Sequence, residues 1–273
     1  MGTTIVSPGA KFTKRIGRIA SPWTPANLFA DRVAYRGSWY EARDLSTLFQ
    51  DAEGLVPVTA PDQPVSLMLD KSGRGCHIVL ESCTLKSANG NFWIEFNGVS
   101  SKAHFVPASL GIYANSNHAL ACFSLLMDSL STYRTVFRFN DGSNARRFFL
   151  GTDLTRGVLR FSAKRTTFAN EVLVSPELPI LNGAHVWTAY ADFGQGVLSL
   201  TRDKTGAKAQ GSIDSKGISD GANSNTGWLG NFDSSGLAAM RFYGGILLAS
   251  EHNLEGSVGA IESWMGSLIG LSI

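Results

Sequence analysis

Short apolar stretches separated by turn residues recur along this chain, and they restrict the possible fold more than any other feature. Residues 92–98 place apolar side chains at alternate positions, which is the pattern of a half-buried strand. Residues 133–140 lead into Asp141-Gly142, a strong hairpin signal, and residues 146–150 return from it. Three more strands are predicted at 158–163, 186–190 and 197–201. Regular short strands joined by turns indicate an all-β sandwich or jelly roll rather than alternating strands and helices.

The C-terminal segment has a helical pattern. Its apolar positions, spaced three or four residues apart, are Leu254, Val258, Ile261, Trp264, Met265 and Leu268. Asn253 precedes them and is suited to cap the helix. Three glycines lie inside the segment, and each costs about 1 kcal/mol relative to alanine. We therefore expect this helix to depend on docking against the sandwich.

Composition excludes several functional classes. The 273 residues are enough for one large all-β domain, and a hydrophobic content of 44% supports a full core. The net charge of +2 is too small for the chain as a whole to be expected to bind nucleic acid. We expect no membrane span, because the chain has no long uninterrupted apolar run. The N-terminus also lacks the apolar core of a secretory signal.

The first 36 residues differ in character from the rest. They contain several prolines and a cluster of basic residues, and no acidic residue occurs before position 31. We expect residues 1–36 to form an extended arm that attaches the protein to a partner. The predicted attachment residues are the basic Lys11, Lys14, Arg15 and Arg18 and the apolar Trp23, Leu28 and Phe29.

Two segments resemble known families. Trp39-Tyr40, followed from position 44 by Asp-Leu-Ser-Thr-Leu-Phe-Gln-Asp, resembles the opening of tailed-phage and prophage structural proteins. Glu41-Ala42 stands where that opening has Asp-Pro. The run from Asp70 to His77, Asp-Lys-Ser-Gly-Arg-Gly-Cys-His, resembles the entry to concanavalin A-like, laminin-G-type jelly rolls, with Cys76 where asparagine is usual.

Three later segments extend the second resemblance. Residues 93–99, 181–188 and 240–248 are similar to successive strands of laminin-G-like domains and occur in the same order. The resemblance covers residues 37–273. It implies a concanavalin A-like jelly-roll sandwich with an extended N-terminal arm, residues 1–36, and a short C-terminal helix.

The phage resemblance implies a role in the virion. It points to an accessory protein, namely a head decoration, a collar or short fibre, or a receptor-binding tip, assembled in the bacterial host cytoplasm. Expected partners are capsid, portal or tail proteins and further copies of the chain, with a trimer favoured. The arm could also touch packaged DNA, but four basic residues give only modest, salt-sensitive affinity, so docking onto protein by strand addition is favoured.

The jelly-roll resemblance also implies a site for sugars, in this case a host-surface polysaccharide. Such sites stack an aromatic ring on a pyranose and bind its hydroxyls through Asp and Asn. Candidate residues are Asp192, Asn223, Asn225, Trp228, Asn231 and Asp233. The same oxygen ligands could instead hold Ca²⁺. The alternative interpretation is that these Asx residues only form turns and that Trp228 belongs to the core.

The sequence gives little indication of catalysis. Glycosidases on this fold hold two carboxyl groups about 5 Å apart on one strand face. Glu95 is the one strand carboxylate in a comparable position, and its neighbours are Trp93 and Asn97. We therefore expect no enzymatic activity, with a polysaccharide-degrading enzyme on the same fold as the alternative.

The three cysteines, Cys76, Cys83 and Cys122, are an odd number without a metal-type spacing. Zinc bound by Cys76, His77 and Cys83 is a minor alternative, since this spacing matches no known finger. Free thiols in a reducing compartment are expected, with no metal and no other cofactor.

Overall fold

A computed structural model describes residues 23–31, 34–106, 112–127, 134–140, 146–153, 158–163, 183–204, 208–212, 217–219, 226–231 and 236–273. Their strands are β1 Tyr35–Glu41, β2 Leu48–Phe49, β3 Pro64–Met68, β4 Ile78–Ala88, β5 Asn91–Asn97, β6 Lys102–Phe105, β7 His118–Met127, β8 Thr135–Asn140, β9 Arg146–Asp153, β10 Val158–Ala163, β11 His185–Asp192, β12 Val197–Arg202, β13 Lys208–Ser212, β14 Thr226–Leu229 and β15 Ala239–Ser250. The helices are α1 Ala26–Phe29 and α2 Glu255–Ser267, and Leu45–Thr47 form a 3-10 turn.

The strands pair in one long antiparallel sheet that folds back on itself. Its order is β10-β9-β8-β14-β6-β4-β5-β15-β7-β11-β12-β13, with β1 beside β15 and β2–β3 beside β4. Strands β8 and β7 are far apart in this order, yet the rings of Phe137 and Phe123 lie 5.3 Å apart. Opposite ends of the sheet therefore face each other as the two layers of a sandwich.

An aromatic core fills the space between the layers. Five of its phenylalanines that are each at most 1% exposed are Phe96, Phe123, Phe137, Phe139 and Phe148. Ile94 and Phe96 lie in this core, as the alternation of residues 92–98 predicts. The predicted strands from 133 to 201 are confirmed, and their ends shift by at most three residues.

A second apolar cluster covers the outer face of the layer that contains β1, β15, β7 and β11. Its members include Trp39, Trp93, Val186, Tyr243 and Ile246 from the strands and Ile261, Met265 and Leu268 from α2. The predicted C-terminal helix and its docking are confirmed. The N-cap of α2 is Leu254, one residue after the predicted Asn253, and the side chain of Asn253 accepts a hydrogen bond from the amide of Glu255 at 2.7 Å.

The described N-terminal residues differ from the predicted extended arm. Residues 26–29 form the short helix α1, and Leu28 and Phe29 are 4% and 5% exposed because they pack into the outer cluster. Tyr35 and Arg36 already pair with β15 as part of β1. Packing against their own chain removes these two apolar side chains from water, which stabilises the folded protein without any partner. Residues 1–22, with the basic cluster, lie outside the described residues.

Candidate functional site

Of the six residues predicted to bind sugar, three lie outside the described residues: Asn223, Asn225 and Asp233. Asn231 is 2% exposed, and its side-chain oxygen accepts a hydrogen bond from the amide of Ala103 at 3.0 Å. It therefore holds β6 in place. Trp228 is half-buried on β14, in register with His104 and Arg138.

Asp192 ends β11 and is 8% exposed. Its carboxylate accepts a hydrogen bond from the amide of Gln195 at 2.8 Å, which fixes the turn into β12. Its other oxygen lies 3.8 Å from Nδ1 of His118. Strands β11 and β14 are well separated in the sheet order, so the structure does not place Asp192 and Trp228 on adjoining strands.

A groove of about 220 Å³ lies beside α2 on the outer face of β11 and β12. It is lined by Thr188, Tyr190, Ser199, Thr201, Lys208, Glu255 and Val258. We call it the β11–β12 groove. The sequence did not indicate these residues, because isolated Ser and Thr residues on a strand carry no specific signal. The predicted residue Asp192 lies on the same strand as Thr188 and Tyr190.

The strand alternation explains why these side chains meet. On β11, Trp187, Ala189 and Ala191 face the inner core, so Thr188 and Tyr190 point outward. Residues directly opposite each other in the register share a face of the sheet. Thr188 is paired with Thr201, Tyr190 with Ser199, and Thr201 with Lys208, so the polar residues form two neighbouring rows.

The floor of the groove is fixed by hydrogen bonds. The hydroxyl of Thr188 donates to the carboxylate of Glu262 at 2.8 Å, and the hydroxyl of Tyr190 lies 2.9 Å from Nδ1 of His118. Burial raises the pKa of the Glu262 carboxyl and the pKa of the Tyr190 phenol. These two contacts hold both lining side chains in place before any ligand enters.

The upper part of the groove keeps its polar groups available. Within the described part of the chain, the hydroxyls of Ser199 and Thr201 form no hydrogen bond, and Lys208 and Glu255 form no ion pair. An ammonium group supplies donors and a carboxylate supplies acceptors, while hydroxyls supply both. The groove can thus exchange several hydrogen bonds with a small polar molecule.

Glu95, the carboxylate considered for catalysis, is about a third exposed. Its side chain accepts a short hydrogen bond from the indole of Trp93, and it lies 3.8 Å from the guanidinium of Arg241. The other carboxylate with this spacing from a tryptophan is Glu41, which contacts Trp39. Among the contacts recorded for the described residues, Glu95 pairs with a cation and an indole, not with a second carboxylate.

The cysteines are free thiols, and all three are buried. Burial raises the pKa of Cys83 to about 12 and also raises the pKa of Cys122. The nitrogen Nδ1 of His77 accepts a hydrogen bond from the amide of Asp70 at 3.1 Å. In the ranges that the structure describes, no group of three His, Cys, Asp or Glu side chains is arranged to hold a metal ion.

The run from Asp70 to His77 has a structural role. The carboxylate of Asp70 accepts hydrogen bonds from the amides of Trp39, Ser72 and Cys76 at 3.0, 2.8 and 3.2 Å. Gly73 and Gly75 have φ angles of 75° and 76°, a region that favours glycine. This loop thereby ties β1 to the connection between β3 and β4.

Comparison with solved structures identifies proteins of the same architecture. A structure of botulinum neurotoxin type C aligns with 90% of this chain and 53% of its own, at 14% identity and a TM-score of 0.56. Trypanosoma rangeli sialidase aligns with 98% of this chain and 36% of its own, at 12% identity and a TM-score of 0.55. The binding domain of botulinum neurotoxin serotype D gives 11% identity, 84% and 51% coverage and a TM-score of 0.54.

The fold is a jelly roll. This confirms the predicted all-β sandwich. Because the sequence identities are low, the similarity to these proteins supports the fold alone. The chain spans about half the length of the toxin chains and about a third of the sialidase chain. No protein-family model and no curated protein sequence matches it. No helix among the described residues is long and apolar enough to cross a membrane.

Proposed function

We propose that this protein is a carbohydrate-binding jelly-roll module and that the β11–β12 groove is its sugar site. The observation that carries the proposal is the set of unpaired polar groups there. Ser199, Thr201, Lys208 and Glu255 face one groove, and none has a hydrogen-bond or ion-pair partner for its side chain among the described residues. Sugars are the ligand class that presents many hydroxyls on a small ring.

The size and lining of the groove support a single sugar unit. A volume of about 220 Å³ is small for a ligand pocket and matches one ring of a longer glycan. Val258 and the ring of Tyr190 provide apolar contact for the C–H groups of that ring. Lys208 and Glu255 provide charge-assisted hydrogen bonds, which are the stronger kind. The proposed role is binding without catalysis.

The structural relatives agree with this choice. Cell entry of botulinum neurotoxin type C is described as dependent upon interaction with two ganglioside molecules, and the sialidase structure contains 2,3-difluorosialic acid. Gangliosides and sialic acids are carbohydrates or carry them. The shared fold supports a carbohydrate ligand here as a proposal, and the groove residues give that proposal a location.

Binding is tested with the purified full-length chain on an array of bacterial surface polysaccharides and by calorimetry with the glycans that bind. The double variant Thr201→Ala/Lys208→Ala is expected to lose about 10- to 100-fold in affinity, the effect of removing a hydrogen bond to a charged group. Lys86→Ala is the matched control, because Lys86 lies on β4 away from the groove, has a side chain that is 40% exposed and pairs with Asp62. Absence of binding to every glycan, or equal loss in the control, would reject the proposal.

We further propose that the module is a virion accessory protein, displayed as a head decoration, collar or short fibre, or receptor-binding tip. The support is the resemblance of residues 39–51 to phage structural proteins together with the basic N-terminal segment. Capsid, portal or tail proteins are the proposed partners, and a trimer is the proposed assembly. Repeated presentation of one weak sugar site would raise the effective affinity for a host-surface polysaccharide.

Attachment to the particle is tested by deleting residues 1–22, a shorter segment than the predicted arm. Removing residues 1–22 takes away the basic cluster and leaves Leu28 and Phe29 in the outer cluster. The truncated chain is expected to melt like the full-length chain and to fail to sediment with particles, whereas the full-length chain sediments with them. Normal incorporation of the truncated chain would reject attachment through this segment. Light scattering at several concentrations tests the trimer, and a monomer at all of them would reject it.

A further inference from the structure

A second groove lies on the opposite flank of α2. It has a volume of about 320 Å³ and is lined by Trp23, Ala260, Ser263, Trp264 and Ser267. Trp23 comes from the N-terminal segment, and the other four residues come from α2. We call it the tryptophan groove. Both indoles are half-buried, so each keeps part of its ring surface accessible.

The indole of Trp264 is held in place before any ligand arrives. Its Nε1 donates a hydrogen bond to the buried carboxylate of Glu41 at 2.6 Å. Its ring meets the ring of Trp39 edge to face, with centroids 6.1 Å apart. The guanidinium of Arg43 lies 5.1 Å from its ring centre. An aromatic surface fixed in this way loses little conformational entropy on binding.

The charges beside the tryptophan groove cancel. Glu41 and Asp44 are matched by Arg43 and Lys71, with Arg43 at 3.1 Å and Lys71 at 3.3 Å from Glu41, and Lys71 at 2.7 Å from Asp44. The ammonium of Lys204 lies 3.4 Å from the hydroxyl of Ser263 and is attracted to the carboxylate of Glu262. The charges around the tryptophan groove are therefore engaged within the chain, and they do not favour an acidic ligand over a neutral one.

The two serines offer acceptors only. The hydroxyl of Ser263 shares its one proton between the backbone oxygens of Gly259 and Ile273, both 2.8 Å away. The hydroxyl of Ser267 donates to the backbone oxygen of Trp264 at 2.6 Å. Each oxygen already accepts one long hydrogen bond, Ser263 from the ammonium of Lys204 at 3.4 Å and Ser267 from the guanidinium of Arg43 at 3.5 Å. A hydroxyl oxygen has two lone pairs, so one remains on each serine to accept from a ligand hydroxyl. A suitable ligand thus combines a flat apolar face with hydroxyl donors at its edge.

We propose that the tryptophan groove is a second sugar site, for a neutral pyranose stacked against the indoles of Trp23 and Trp264. This inference rests on the proposed carbohydrate-binding function and adds a second site with different chemistry. One wall of the site comes from Trp23, so the N-terminal segment takes part in ligand binding as well as in the proposed attachment.

The test uses the full-length chain labelled with 5-fluorotryptophan, whose six tryptophan signals are assigned by single Trp→Phe variants. The probes are cellohexaose, maltohexaose and mannohexaose as neutral sugars and trigalacturonate as an acidic sugar. A neutral probe is expected to shift the ¹⁹F signals of Trp23 and Trp264 in a saturable way and to leave that of Trp228 unchanged. Trp23→Ala is expected to weaken this binding about tenfold, while Leu55→Ala, which removes an exposed apolar side chain elsewhere, leaves it unchanged.

Each outcome bears on the inference. Shifts confined to Trp228, shifts produced only by trigalacturonate, or no shift with any probe would overturn it. Unchanged affinity in Trp23→Ala would overturn it as well. If that variant keeps its affinity while Thr201→Ala/Lys208→Ala loses it, the second site fails and the proposed function stands. The measurement on the wild-type chain decides the matter even if Trp23→Ala does not fold.

Discussion

Replacing Glu41 with alanine is expected to destabilise the protein strongly. The carboxylate of Glu41 is 3% exposed and accepts hydrogen bonds from two indoles, Nε1 of Trp39 at 2.9 Å and Nε1 of Trp264 at 2.6 Å. It also contacts Arg43 and Lys71. One side chain therefore joins β1, α2 and the loop after β3. Its removal leaves the two indole donors without their acceptor.

The magnitude follows from how well each partner can be solvated. A buried donor without an acceptor costs about 1–3 kcal/mol, and Trp39 is buried whereas Trp264 is half-buried. Arg43 is 38% exposed and can turn to water, and Lys71 keeps Asp44 at 2.7 Å, so the lost ion pairs add little. We expect Glu41→Ala to lower the free energy of unfolding by about 2–4 kcal/mol.

The chain contains its own control for this experiment. Glu95 has the same spacing from Trp93 that Glu41 has from Trp39, but its side chain is 29% exposed and contacts one indole. Glu95→Ala is expected to cost less than about 1.5 kcal/mol. Urea unfolding of both variants, followed by far-ultraviolet circular dichroism, gives the two values. Equal costs, or a cost below about 1 kcal/mol for Glu41→Ala, would refute the reasoning.

Three further predictions concern stability. Leu28→Ala is expected to cost about 2–4 kcal/mol in urea unfolding, because Leu28 is 4% exposed, and a value near zero would show that α1 is not packed. Gly230→Ala is expected to cost about 2 kcal/mol or more beyond the cost of Gly90→Ala. The two glycines have similar φ angles, 74° and 80°, but a Cβ added at Gly230 would lie 2.6 Å from the ring of Phe96, whereas one added at Gly90 would meet nothing within 4 Å. Equal melting temperatures of the two variants would contradict this. Burial raises the pKa of Glu262, so the folded state holds the proton of this carboxyl group more tightly than the unfolded state does. The resulting contribution to the free energy of unfolding is present below the usual pKa of 4.5 and is lost as the pH rises through the raised pKa. Glu262→Gln is therefore expected to gain stability relative to the wild type as the pH rises from 4 to 7, as measured by thermal unfolding, and a parallel pH profile would contradict it.

Much of the fold follows from local sequence patterns. Strands with one polar face, such as β5, and hairpins with a clear turn signal, such as β8–β9, are predicted from alternation and turn residues alone. Strand β7 was missed, since both of its faces are buried under the core and the outer cluster. A continuous apolar run of this kind has no period that separates strand from helix.

The site was harder to predict because it depends on pairing between distant segments. Thr188, Ser199 and Thr201 become neighbours only through the register of β11 and β12, and Glu255 joins them only after α2 docks. Asp192 and Asn231, which were predicted to bind sugar, accept hydrogen bonds from backbone amides of their own chain. Sequence composition cannot distinguish a turn-forming Asx residue from one that binds a ligand. The predicted roles of Asn223, Asn225 and Asp233 stay predictions.

The position of β15 affects how the protein is made. This strand bonds to β1, β5 and β7, and all three precede it in the sequence. During synthesis on the ribosome, the edges of β1, β5 and β7 that bond to β15 have no partner until β15 has been translated, and α2 is translated after β15. Unpaired strand edges invite wrong pairing between nascent chains. We therefore expect the yield of folded protein in the cell to depend on how quickly β15 and α2 are translated and on chaperones that bind the unpaired strands.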